Sequence, residues 1–283
     1  MIQKLLPVVC FSALIIASGC GGGQKGDQKE KSKDTTQNQA STRIDDPHSY
    51  AKPWEAVIRH LNLDIALDFD KQQISGTASY KIKNKTGADS IYLDSRNLTI
   101  EKITLGKDGE TATGYSFGEK QQYMGRPLAI AIKPETKWIN IQYQTSPEAA
   151  ALQWLEPQQT AGGEDPYLFT QSQAILARTW IPIQDGPGIR FTYNAEVEVP
   201  KDLLALMSAE NPKKKNESGV YEFEMNQPIP AYLMAMAVGD IEFEAIGKKT
   251  GVYTEPELMK ASVHEFGNLD SMMTVSERLW GPY

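Results

Sequence analysis

"LNLDIALDFDKQQISGTASYKIKN", residues 61–84, decides the fold. Leu61, Leu63, Ile65, Leu67 and Phe69 occupy every second position, and after the polar "DKQQ" Ile74, Ala78, Tyr80 and Ile82 take up the same period. Successive side chains of a strand point to opposite faces, so each run is a strand with one apolar face. The short polar join makes the pair a hairpin. Working outward, the pattern returns at "LTIEKITL", "LAIAIKP", "WINIQYQT", "IRFTYNAEVEV", "VYEFEM" and "AYLMAMAVGDIEFEAI". The cleanest alternation is Ile189, Phe191, Tyr193, Ala195, Val197 and Val199, whereas "AYLMAMAV" is apolar on both faces, as a central strand would be. Many short strands with little helical period predict an all-β domain, a saddle or sandwich of several sheets, over 53–250.

From Thr254 the period changes. "TEPE" offers Thr254 as N-cap, Pro256 in the first turn and Glu257 three residues after the cap, a capping box. Met259, Val263, Phe266, Leu269 and Met273 then recur at helical spacing, and Met272, Val275 and Leu279 widen the stripe. Such a face needs a partner. Residues 251–283 are therefore expected to be the first helix of an incomplete α-helical domain.

At the other end stands "MIQKLLPVVCFSALIIASGC". Lys4 precedes an apolar run from Leu5 to Ala17, about 13 residues, short for a bilayer span but suited to a signal peptide. Ala17-Ser18-Gly19-Cys20 resembles a bacterial lipobox, with alanine where leucine is commonest. The expectation is a lipoprotein signal over 1–20, with Cys20 lipidated and the protein anchored in the bacterial cell envelope, at the outer membrane or periplasmic face. The alternative is an ordinary signal peptide cut before a free cysteine. Residues 21–52 are Gly-, Gln-, Lys- and Ser-rich with almost no large apolar side chains, the composition of a disordered linker. The two cysteines are Cys10 and Cys20, so the folded part has no disulfide and relies on its core. A net charge of -7 without a basic, aromatic-laced patch argues against a nucleic-acid partner.

Catalytic motifs are scarce. "HEFGN", His264–Asn268, begins like the His-Glu-x-x-His helix of zinc peptidases, but Asn268 occupies the second ligand position. With His48 and His60 as the other histidines, no zinc ligands and no metal site are expected in this chain. Neither a Gly-x-Ser-x-Gly elbow nor a P-loop occurs, and no catalytic residue is assigned. One polar oddity remains in "LFTQSQAILARTWIPIQDGPGIRFTY", residues 168–193. A strand running from Leu168 to Ala174 would aim the carboxamides of Gln171 and Gln173 to one side. Read from the residues alone, the two amides either meet a ligand or satisfy neighbouring backbone groups.

That stretch, together with "ALQWLEPQQTAGG", "VPKDLLALMSA", "PIPAYLMAMAVGDIE" and "SERLWGPY", resembles the amino-terminal domain of the gluzincin zinc aminopeptidases, in their leukotriene hydrolase-like branch. The resemblance covers roughly residues 47–283 and implies a β-saddle whose edge lines the cleft of a helical zinc domain. It further implies that Gln173 binds the amino end of a peptide substrate with Gln171 alongside; the larger aminopeptidases usually carry glutamate there. Two departures stand out. The family's Pro-Cys-x-Asp-Glu-Pro turn is Pro182-Ile183-Gln184-Asp185-Gly186-Pro187, and the Gly-x-Met-Glu-Asn and His-Glu-x-x-His motifs are missing. The expected function is thus the amino-terminal fragment of an exported, lipid-anchored zinc aminopeptidase, inactive alone, with its catalytic domain in cis and zinc bound in the complete enzyme. The rival readings are a freestanding β-sandwich lipoprotein that binds peptides or a protein partner, and a decayed gene product.

Overall fold

The computed structural model describes residues 45–283, so the expected signal peptide, Cys20 and most of the expected linker lie outside the described residues. The hairpin read from residues 61–84 is the spine: β1 (Ala56–Asp68) pairs antiparallel with β2 (Gln73–Asn84), Leu63 opposite Ala78 and Leu61 opposite Tyr80. Gly76 sits opposite Ile65 at φ 154, and a β-carbon there would lie 2.0 Å from the Asp64 carbonyl oxygen. Only glycine tolerates so close a backbone approach.

Around this hairpin grows a seven-stranded sheet. Its order is β13 (Val220–Ile229), β11 (Phe191–Glu198), β1, β2, β8 (Trp138–Gln144), β4 (Thr99–Leu105) and β5 (Thr111–Ala112). Neighbours run antiparallel except β1 and β11, which are parallel, with His60 level with Thr192. A second sheet of four strands orders β12 (Leu204–Met207), β14 (Met236–Gly239), β10 (Tyr167–Thr170) and β9 (Leu152–Leu155). Three strands form a third sheet, β3 (Ser90–Ser95), β7 (Arg126–Ala131) and β6 (Tyr115–Phe117). The hairpin of β15 (Glu242–Ala245) and β16 (Gly251–Thr254) completes the set. One apolar cluster draws on the first three sheets: Leu63, Ile65 and Phe191 from the large one, Leu168 and Val238 from the second, Leu93 and Ile130 from the third. Trp180, Ile181 and Ile183, buried in the turn after β10, belong to the same core.

Three expectations need correction. "AYLMAMAV" is not one strand: Ala231–Leu233 forms a 3-10 turn and only β14 extends, although β14 is indeed central, between β12 and β10. The helical stripe is two helices, α1 (Pro256–Glu265) and α2 (Leu269–Trp280), separated at Phe266–Asn268 around Gly267. The Asp270 carboxylate at the start of α2 accepts from Lys248 N and Thr250 Oγ1, which ties that first turn to residues 248–250. The capping box does not form, because Thr254 is consumed by β16 and pairs with Glu242. The N-cap moves to Glu255, whose carboxylate accepts from Ala161 N at 2.8 Å instead of capping the helix.

The linker composition expected through Lys52 also gives way to order. Residues 49–51 are held: Ser49 Oγ donates to Asp94 Oδ2 at 2.6 Å, Tyr50 N to Asp94 Oδ1 at 2.7 Å, and Ala51 packs with Val57 and Ile189. A composition window counts apolar side chains and misses backbone donors that find a buried carboxylate.

Candidate functional site

The edge of the second sheet places the two glutamines. β10 ends at Thr170, whose hydroxyl accepts from Met236 N at 2.9 Å, so the strand expected to reach Ala174 is shorter than read. Beyond it the chain still alternates: Gln171 exposed, Ser172 buried, Gln173 exposed. Ser172 Oγ donates to Met234 O at 2.8 Å and accepts from Trp180 Nε1 at 3.1 Å. This inward hydroxyl pegs the segment to the core and leaves both carboxamides outside. Gln171 Oε1 accepts from Gln173 N at 3.0 Å, which makes the first glutamine a brace for the second. Among the described residues the Gln173 carboxamide makes no hydrogen bond. The Gln173–Ala174 peptide is cis.

Gln173 borders an open recess of about 350 Å³ that is also lined by Ala174, Ile175, Pro187, Tyr232, Asp46 and His48. The lining thus combines an amide oxygen, a carboxylate, an imidazole and a phenol ring. Such a set suits a cationic or amine-bearing ligand, because each of these groups can accept from an ammonium or face it with π density.

A buried ion cluster is tied to the recess through the His48 carbonyl. The Arg178 guanidinium is fully buried and pairs with Asp185 through Nε at 3.0 Å and with Asp94 through Nη1 at 3.5 Å. Its remaining donors reach carbonyls: Nη1 to Met124 O at 3.1 Å, Nη2 to His48 O at 2.8 Å and to Asp185 O at 3.1 Å. Asp185 N in turn donates to Asp94 Oδ2 at 2.8 Å. Burial pushes the Asp185 carboxyl up to about 6, with Arg178 pulling the other way and Asp94 adding to the rise. Next to it, Gln184 is fully buried, accepting from Ile58 N and donating to Ala56 O and Tyr92 O. The turn that departs from the family pattern is therefore a structural joint between β1, β3 and the site.

Sequence reading did not single out Arg178, Asp94, Asp46 or Tyr232. One signal was available: an arginine inside "AILARTWIPI" cannot be buried without a carboxylate, and Asp185 follows seven residues later. Asp94 and Asp46 carry no comparable mark, since their partners come from distant parts of the chain.

Zinc is implied by the resemblance. Among the described residues no group of three or more His, Cys, Asp or Glu side chains could hold a metal ion, and His264 is exposed on α1. The described residues do not fit a zinc site.

Three likenesses in sequence and two in structure stand out. The family described as the peptidase M1 N-terminal domain matches residues 47–233. A leukotriene A-4 hydrolase of Xenopus laevis is 38% identical over 249 residues, 84% of this chain and 40% of that protein. A leucine aminopeptidase 2 of Yarrowia lipolytica is 33% identical over 223 residues, 77% of this chain and 34% of its own length. The chain thus spans well under half of these relatives. Among solved structures, the leukotriene A4 hydrolase of Saccharomyces cerevisiae superimposes with a TM-score of 0.76 at 30% identity, covering 86% of this chain and 39% of that one. An M1 zinc metallopeptidase from Deinococcus radiodurans gives a TM-score of 0.58 at 18% identity, covering 82% and 55%, a likeness of fold alone.

Proposed function

The chain belongs to the peptidase M1 N-terminal domain family, and on that premise we propose that it forms one wall of the substrate cleft of an exported, lipid-anchored zinc aminopeptidase. The observation that carries the reading is the Gln173 carboxamide, exposed and without a hydrogen bond among the described residues, beside a recess lined also by Tyr232 and Asp46. In this role Gln173 Oε1 accepts from the ammonium group of a peptide's first residue, which anchors the free amino end without a second full charge. Gln171 holds the backbone of Gln173 in place. Zinc binding is assigned to protein outside these 283 residues, which contain no His-Glu-x-x-His, and the chain alone is expected to be inactive. Cys20 carries the lipid that holds the protein in the bacterial cell envelope.

Exposed apolar side chains on α1 and α2 favour this reading over a freestanding peptide-binding lipoprotein. Leu258, Met272, Val275, Leu279 and Trp280 all face solvent, as does Phe266 between the helices, a surface that a finished module would cover. The test is Gln173→Ala in the zinc-loaded enzyme carrying this chain, from its natural gene or by fusion to a relative's zinc domain. Losing a hydrogen bond to a charged group costs about 1.5–3 kcal/mol, roughly one to two orders of magnitude in kcat/KM. The loss is expected for peptides with a free amino end and not for amino-blocked analogues. Full turnover by Gln173→Ala on free peptides would sink the assignment.

A further inference from the structure

The third sheet carries a small cationic pocket of about 150 Å³, with Ser95, Asn97, Lys120 and Arg126 as its polar lining and no acidic side chain among its lining residues. Local pairing brings the two cations together. Gln121 and Gly125 exchange both backbone hydrogen bonds, at 2.8 and 3.0 Å, so Lys120 and Arg126 stand across from each other one step outside that pair. Like charges at facing positions repel. Among the described residues neither has an acidic partner: the Arg126 side chain makes no hydrogen bond or ion pair, and Lys120 donates only to Asn97 Oδ1, at 3.4 Å. Ser95 is level with Arg126 in the pairing of β3 with β7, which puts both side chains on one face of the sheet. The serine is 3% exposed, yet its hydroxyl makes no hydrogen bond among the described residues. A buried hydroxyl without a partner is costly. The frame around these groups is fixed. A β-carbon on Gly125, at φ 78, would lie 2.3 Å from Ser95 O, so only glycine lets the turn close onto β3. Arg178 Nη1 donates to Met124 O at 3.1 Å and Tyr50 Oη to Gly125 O at 3.4 Å, which ties the turn to the buried ion cluster.

We propose that this pocket binds a phosphate-type oxyanion, with Arg126 and Lys120 neutralising its charge and the Ser95 hydroxyl and Asn97 amide donating to its oxygens. A guanidinium, an ammonium and two neutral donors are a set that recognises phosphate, and the anion relieves both the repulsion between the cations and the unmet hydroxyl. At roughly 30 Å³ per water the pocket has the volume of about five waters, enough for a tetrahedral group with four oxygens and too little for a drug-sized organic ligand. Free phosphate and the phosphodiester of a lipid headgroup share this chemistry. The inference does not depend on the cleft reading.

The experiment is isothermal titration calorimetry on the 283-residue chain in phosphate-free buffer. The titrants are inorganic phosphate, glycerophosphoglycerol (the deacylated headgroup of an anionic phospholipid) and acetate. Saturable binding at a single site is expected for at least one of the two phosphates, about tenfold tighter than for acetate. Arg126→Gln and Lys120→Gln are each expected to weaken it about tenfold, the loss of a hydrogen bond between charged groups, and Ser95→Ala about fivefold. Lys201→Gln removes an exposed lysine outside the pocket and is expected to change nothing. Because the Ser95 hydroxyl bonds nothing in the fold, Ser95→Ala is expected to keep the melting temperature measured without anion, so its affinity reports on the site alone. Full affinity in Ser95→Ala, or an equal loss in Lys201→Gln, would reduce the binding to diffuse surface charge and overturn the proposal. Acetate binding as tightly as the phosphates, or no saturable binding of either phosphate, would overturn it too. Where the site binds, the tighter titrant names its source: inorganic phosphate assigns the free anion, and the diester assigns a lipid headgroup.

Discussion

Asp185 is 2% exposed, and its carboxyl sits near 6 because loss of hydration outweighs the Arg178 guanidinium beside it. A folded-state value above the ordinary 3.8 means that the native protein holds an extra proton between about pH 4 and pH 6. The stability present below about pH 4 is then lost as pH rises through 6, by roughly 3 kcal/mol for two pKa units. Asp185→Asn abolishes this titration while Arg178 and Asp94 remain facing the site. The wild type is expected to lose stability relative to the variant between about pH 4 and pH 7, measured by urea unfolding at each pH; parallel profiles would rule out Asp185 as the titrating group. The glutamines part company at the same scale. Gln171→Ala removes the acceptor of Gln173 N and is expected to destabilise by about 1 kcal/mol, whereas Gln173→Ala is expected to leave the melting temperature unchanged. Neither role was legible in the Gln-x-Gln pattern alone, which places two amides on one side without saying which is already occupied.

Among the elements, the hairpin of β1 and β2 was legible because the period of two runs unbroken and the turn is polar. The close approach at Gly76 was not. The sequence shows a glycine in a strand but cannot show that the Asp64 carbonyl fills the space where a side chain would go. Gly76→Ala is expected to cost about 3 kcal/mol, read as a lower denaturant midpoint with an unchanged slope. A shift within the noise would mean that β1 and β2 yield easily there. The helices show the complementary limit. Apolar spacing carries across Gly267 almost in phase, so periodicity alone joined α1 and α2; the break follows from Asp270 bonding to residues 248 and 250, a tertiary contact. The lost capping box at Thr254 has the same origin, a strand pairing that outcompetes a local cap. Local patterns were readable wherever one element decided its own conformation, and unreadable wherever a neighbour decided it.

For the whole molecule, two measurements address the anchor and the metal. Cys20→Ala is expected to abolish incorporation of labelled fatty acid in the expressing bacterium, and equal labelling of both forms would remove the lipoprotein reading. Dialysed chain is expected to retain no stoichiometric zinc; one tight zinc lost with His264→Ala would reinstate the helix containing His264 as a ligand carrier. The parallel pairing of β1 with β11 has a consequence of another kind, in the order of events during synthesis. β1 meets β2 across a four-residue turn, but its other edge matches residues 132 positions later, His60 with Thr192. At roughly 5–20 residues per second, a ribosome takes on the order of ten seconds to supply that partner. Until then the emerging hairpin offers an unpaired row of amides and carbonyls to any neighbouring chain. Pulse-labelled exchange during refolding is expected to protect the amides β1 shares with β2 before those it shares with β11. Destabilising β11 is expected to raise the yield of aggregates far more than it lowers the melting temperature, because the hazard lies in the wait and not in the finished sheet.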